Sequence, residues 1–203
     1  RVADDKRFLA RLDAIPEAGL TDPEKANRGI LRRLLSEDIE GNGFGQRMVT
    51  FTAYYSPWQG YVSLGEDTAF RGKTDYQNYL KRLALIPANS DILIDITRQG
   101  VAKGYAQACS SLGGLERSLR GVVADDPTKS RFYKPFAESR PANISAADWT
   151  ALQGEARTII TTKLNPTYAK AADYMVRDYI PRCAKTDGVS AQPDGKAYYA
   201  FRI

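Results

Sequence analysis

Two tyrosines and two cysteines are the residues of this sequence whose types and neighbours invite chemistry: the pair Tyr198-Tyr199, and Cys109 with Cys183. Adjacent helix positions aim two rings about 100° apart, so one phenol can pack inward while its neighbour faces a cleft. Packing into a core is the plainer reading of the same pair, in a chain with twelve tyrosines. The cysteines have two readings as well, a disulfide or two buried free thiols. Both fall near expected helix ends, in Ala106-Gln107-Ala108-Cys109 and Ile180-Pro181-Arg182-Cys183, where two segments could meet. Export to an oxidising compartment would favour the bond.

Histidine is absent from all 203 residues. That removes the commonest metal ligand and the usual neutral-pH general base, so zinc hydrolysis and Ser-His-Asp or Cys-His catalysis are excluded within this chain. No catalytic residue and no metal ligand is assigned. Asp125-Asp126 and the i,i+4 pair Asp91/Asp95 could in principle work as paired carboxylates, but the first reads as a helix-ending turn before Pro127 and the second as an exposed helix face. Gly41-Asn42-Gly43-Phe44-Gly45 follows a helix and lacks the Lys-Ser/Thr of a phosphate loop, so it reads as a turn.

A formal net charge of +5 arises from 29 basic and 24 acidic residues that interleave along the chain. Arg28, Arg32 and Arg33 are followed at once by Glu37, Asp38 and Glu40, the pattern of a solvated helix face, and no nucleic-acid partner is expected. No apolar run approaches the roughly 20 residues of a membrane span.

Helices must position these groups. Phe8, Leu9, Leu12 and Ile15 recur at helical spacing before Pro16; Thr21-Asp22-Pro23-Glu24 starts a second helix that carries Ile30, Leu31, Leu34, Leu35 and Ile39. From Gly43 to Gly72 the periodicity changes: Val49, Phe51, Ala53 and Tyr55 alternate, and an extended loop or a short β-hairpin is expected, with Phe51, Tyr54, Tyr55, Trp58 and Tyr61 as its aromatics. Thr74-Asp75-Tyr76-Gln77 starts a helix that should end at Ile86-Pro87. A separate helix over about Asn89 to Lys103 should turn Ile92, Leu93 and Ile96 inward, and another is expected over 109–124. The longest segment, from Ser145, carries Trp149, Leu152, Ala156, Ile159, Leu164, Tyr168, Ala172, Met175 and Tyr179 on one stripe, with Pro166 expected to kink or break it. The class is therefore mainly α, a helical bundle-like region forming one domain over 1–203.

The last segment, from Asp194 as helix cap to Ile203, starts a helix and stops in mid-pattern, as a piece of a larger protein would. Several motifs in order then resemble one bacterial family, the domain of unknown function 885. They are Tyr79 to Pro87, Arg98-Gln99-Gly100-Val101-Ala102-Lys103-Gly104, Ser130-Arg131-Phe132-Tyr133-Lys134-Pro135-Phe136, Asn165-Pro166-Thr167-Tyr168, Asp178-Tyr179-Ile180-Pro181-Arg182, and Gln192 to Tyr199. The resemblance implies the N-terminal helical part of a metallopeptidase-like protein, periplasmic or lipid-anchored, whose zinc-type metal site lies in a C-terminal half outside these residues. It implies a hydrolase in which this part forms one wall of a peptide cleft, with Tyr198 and Tyr199 nearest the substrate and the protein's own C-terminal half as partner. A homodimer is left open. The competing reading is a non-catalytic binding module of the cell envelope that contacts a partner through the 43–72 segment.

Overall fold

A computed structural model describes residues 1–51 and 55–203. The mainly α, bundle-like class is borne out: among the described residues there is no strand, and the one β-type contact is an isolated parallel bridge between Ala108 and Ala184. No described helix is long and apolar enough to cross a membrane. The chain divides into two compact units, Met48–Asp187 and the pairing of Arg1–Arg47 with Gly188–Ile203.

The Met48–Asp187 unit is built around α4 (Lys73–Ala102) and a helical rod made of α7 (Ala146–Ile159), α8 (Asn165–Tyr174) and their extensions. Helix α4 is a single 30-residue helix that runs straight through Pro87, where the sequence suggested two. The reason is phase. Leu80, Leu83 and Ile86 before the proline and Ser90, Ile94 and Thr97 after it lie on one buried stripe, and burying that stripe outweighs the roughly 3 kcal/mol an interior proline costs. Continuing the stripe also corrects the inward face: Ile94 is buried, whereas Ile92 points outward at 56% exposure and Leu93 and Ile96 are half-buried. At the N-terminus, Asp75 Oδ2 accepts from the backbone N–H of Arg71 (2.8 Å) and Gly72 (3.0 Å), holding orphan donors of the first turn.

Pro166 does not break the rod. A π-turn over Ile160–Leu164 precedes α8, and a second over Met175–Tyr179 follows it. The wider turn absorbs the missing proline donor. All nine residues of the expected stripe, Trp149 through Tyr179, are buried.

The segment after Gly43 is corrected too. Its described residues hold a 3₁₀ turn (Gly45–Met48), α3 (Pro57–Val62) and another 3₁₀ turn (Ser63–Gly65), with no strand; Ala53 and Tyr54 lie outside the described residues. Ser56-Pro57 explains the local choice, since proline at the first helical position presets φ and needs no donor. Trp58 is fully buried at the centre of the unit, donating Nε1 to Ser90 Oγ (2.8 Å), while its carbonyl accepts from the Tyr168 hydroxyl (2.5 Å). The helix expected over 109–124 is shorter: a 3₁₀ turn at Cys109–Ser111, then α5 (Leu115–Arg120), separated by Gly114 at φ +83°. A β-carbon would be strained in that left-handed conformation, which is why glycine sits there. The aromatic turn after Ser130 is a 3₁₀ turn followed by α6 (Lys134–Ala137), and Tyr79 hydroxyl donates to the Phe132 carbonyl at 3.0 Å.

Burial pushes the phenols of Tyr168 and Tyr79 well above their ordinary value and that of Tyr179 up to about 12. A raised folded value means the native state holds protons that the unfolded chain releases near pH 10. Stability is therefore fully present below about pH 10 and falls by about 1.4 kcal/mol per pH unit for each buried phenol as pH rises towards 12. Denaturant midpoints measured from neutral pH upward should stay level and then drop above about pH 10; a decline that starts near neutrality would contradict this.

In the other unit, α1 (Val2–Asp13) and α2 (Asp22–Gly41) form a helical hairpin, and α9 (Gly195–Arg202) packs beside the end of α2. Thr21 and Glu24, at the expected helix start, form a capping box, with Thr21 N–H donating to Glu24 at 2.8 Å. The hairpin is laced by Arg32–Asp13 (2.8 Å), Arg28–Glu17 (2.5 Å) and Arg1–Asp38 (2.5 Å). Exposed pairs of this kind contribute about 0 to 1 kcal/mol each.

Candidate functional site

The sequence-predicted tyrosines sit on α9, whose entry is fixed by contacts that composition does not announce. Asp194 stands at the N-cap as expected but makes no side-chain bond to the first turn; its Oδ2 accepts from Gly45 N–H at 2.7 Å, tying the Gly43–Gly45 turn to the α9 entry. Gly195 is buried, and a Cβ there would overlap the Val189 carbonyl oxygen and stand 2.9 Å from Ser190 Cα. Glycine is required because two backbones touch.

Tyr198 and Tyr199 diverge as the helical angle demands. Tyr198 is half-buried, its ring 5.5 Å from Phe44 edge-to-face and 6.2 Å from Phe201; Tyr199 is 57% exposed. Phe201 in turn lies against Gly41 of α2, 3.3 Å from where a Cβ would stand. Together these elements border a groove of about 420 Å³, with Tyr198, Phe201, Gln46 and Asn42 on its walls and Arg47, Arg202, Glu37 and Asp38 among its charged groups.

One polar atom in this groove is left over. Gln46 Nε2 is buried and has no hydrogen-bond partner among the described residues, and neither has Oδ1 of nearby Asp194. A buried donor without an acceptor costs about 1 to 3 kcal/mol, and a ligand or water group reaching it would recover that cost. The groove thus offers an amide side chain, a phenol, guanidinium groups and an aromatic wall, groups that can bind carbonyl oxygens and carboxylates and pack an apolar group. The sequence singles out Tyr198 but not Gln46 and Arg47, which belong to a turn brought beside α9 by the Asp194–Gly45 bond.

Among the described residues, no group of three from Cys, Asp and Glu is placed to hold a metal ion. Asp91 is paired with Lys170 at 2.7 Å and Asp95 with Arg98 at 3.7 Å, while Asp126 caps the turn at Pro127 by accepting from Thr128 N–H at 2.9 Å. The Thr128 hydroxyl and backbone hold the Asp126 carboxyl below its usual range, a turn role and not an acid-base one. In the Met48–Asp187 unit, a cavity of about 530 Å³ is lined by Phe70, Tyr76, Arg131, Lys134 and Glu66. There Lys134 and then Arg131 hold the Glu66 carboxyl below its ordinary value, so those three charges satisfy one another.

Cys109 and Cys183 are joined as a disulfide with Cα atoms 5.1 Å apart. The backbone prepares the meeting: Cys109 N–H donates to the Ala184 carbonyl and Ala184 N–H to the Gln107 carbonyl, both at 2.9 Å, and Gln107 N–H donates to the buried Tyr179 hydroxyl at 2.8 Å.

The model of the family described as bacterial protein of unknown function (DUF885) matches residues 1–203. Among solved structures, the fold is similar to the crystal structure of the "putative lipoprotein" from Colwellia psychrerythraea, with a TM-score of 0.82 at 15% identity. The match covers 98% of this chain and 36% of that one, so the chain spans about a third of that protein's length. No curated protein matches.

Proposed function

From the premise that the chain belongs to the bacterial family of unknown function DUF885, we propose that it is the peptide-holding part of a metal-dependent peptidase of the cell envelope, one wall of the cleft in which the substrate lies. The observation that carries this reading is the α2–α9 groove, where buried, unpartnered Gln46 Nε2 stands in the same wall as Tyr198. Gln46 would donate to a peptide carbonyl, the Tyr198 hydroxyl would contact the backbone, and Tyr199 would meet the substrate from the exposed side. Arg47 and Arg202 would draw carboxylates.

The described residues do not fit a metal, having no histidine and no ligand cluster, so a zinc-type ion and its general base would be held by the remainder of a longer protein. When bound there, such an ion activates water and polarises the scissile carbonyl. The contribution of this chain is to bind and orient. The disulfide supports export, since such bonds persist in oxidising compartments, and we place the protein in the periplasm or lipid-anchored at the envelope on that support. A non-catalytic envelope module is the second reading, favoured by the exposed apolar face of α1 and α2.

Gln46→Leu separates binding from folding. Removing an unsatisfied amide should leave the thermal midpoint unchanged or slightly raised, while peptide affinity of the full-length protein falls about 3- to 10-fold. Equal affinity in the variant would remove the groove from peptide binding.

A further inference from the structure

Helices α1 and α2 contain no buried residue. Their apolar stripes are nevertheless complete. Phe8, Leu12, Ile15, Leu31 and Leu35 line a concave apolar depression of about 450 Å³, and Phe8, Ile15 and Leu31 are exposed at 48%, 44% and 47%. The Arg32–Asp13 and Arg1–Asp38 pairs bridge the two helices, and Arg28–Glu17 ties α2 to the turn that connects them. A hairpin with this pattern is amphipathic on one side and unsupported there, and contiguous exposed apolar surface of this kind marks an interaction site.

Charge argues against an anionic membrane as the covering. Residues 1–47 carry nine Lys and Arg against nine Asp and Glu, without the basic excess that interfacial helices use. Two observations point instead to the protein's own polypeptide. Nearly two-thirds of the structural neighbour has no counterpart in this chain, so the fold occurs there beside a large further body of protein. Phe201 of α9 lies against Gly41 of α2, so a chain running on from α9 starts beside the uncovered helix.

We infer that the α1–α2 apolar face is the docking surface for the protein's own segment following residue 203. This rests on the proposal that the chain is part of a longer peptidase, but its test does not use activity. Carbene footprinting of the native full-length protein is compared with the same protein unfolded in urea. An open face would label Phe8, Ile15 and Leu31 at about half the unfolded level, matching their exposures of 48%, 44% and 47%. Docking predicts a tenth or less, in a species that light scattering shows to be monomeric, with cross-links from Lys25 of α2 to residues beyond 203. Labelling near half, protection that disappears on dilution through a monomer–dimer transition, or cross-links confined to residues 48–187 would each overturn the inference. Absence of peptidase activity with full protection would leave docking standing and remove the peptidase reading alone.

Discussion

Replacing Cys109 and Cys183 by serine is expected to destabilise the protein by about 4 kcal/mol and to lower its melting temperature by roughly 10 °C. The bond closes a loop between positions separated by 74 residues, and freeing that loop restores much conformational entropy to the unfolded chain. The loss should concentrate where the disulfide is stitched in: the Cys109–Ala184 and Ala184–Gln107 backbone bonds, and behind them the Gln107 N–H donated to Tyr179. Urea unfolding of the wild type and the double variant measures the difference directly, and a non-reduced mass two hydrogens below the reduced one establishes the bond. A loss under about 1 kcal/mol would mean that the backbone pairing alone holds the two segments.

Gly195→Ala is expected to have a comparably large but local effect. The new methyl would occupy the place of the Val189 carbonyl oxygen, and both neighbours are backbone, which cannot rotate away as a side chain can. Overpacking of this kind costs about 1 to 3 kcal/mol or more, and here the clash falls at the first residue of an eight-residue helix. Helix α9 should lose its seat, carrying Tyr198 off Phe44 and opening the groove, while the Trp58-centred core of the Met48–Asp187 unit is unaffected. Hydrogen exchange should therefore quicken at least tenfold in 195–202 and remain unchanged in α4. Equal exchange in α9 of variant and wild type would contradict the close backbone approach.

Much of this architecture was legible in the sequence. The stripe from Trp149 to Tyr179 holds one phase across both π-turns, because apolar spacing every three or four residues tolerates a turn widened by one residue. The break at Pro87 was misread for a physical reason. The local cost of a proline is visible in the sequence, but the burial of Leu83, Ile86, Ser90 and Ile94 on one face that offsets it is a tertiary quantity. Residues 43–72 looked extended since Gly, Pro and aromatics dominate; Trp58 takes its helical turn because Ser90 and Tyr168 hold it from elements 32 and 110 residues away.

The candidate groove shows the same division. Tyr198 and Tyr199 stood out by their adjacency, and the helical angle fixed that they diverge. Gln46 and Arg47 carried no local signal, since they join Tyr198 through the 2.7 Å bond between Gly45 and Asp194, 149 positions apart. Polar residues of a 3₁₀ turn look alike in sequence whether solvated or lining a groove.

Steady-state kinetics of the full-length protein on a peptide library, comparing wild type with the Gln46→Leu/Tyr198→Phe double variant, tests most directly the claim that these residues hold peptide while the chemistry lies elsewhere. The prediction is a KM raised about tenfold, with kcat and bound metal unchanged, since the lost contacts serve ground state and transition state alike. A wild-type protein that cleaves no peptide, or a variant whose kcat falls at constant KM, would contradict it.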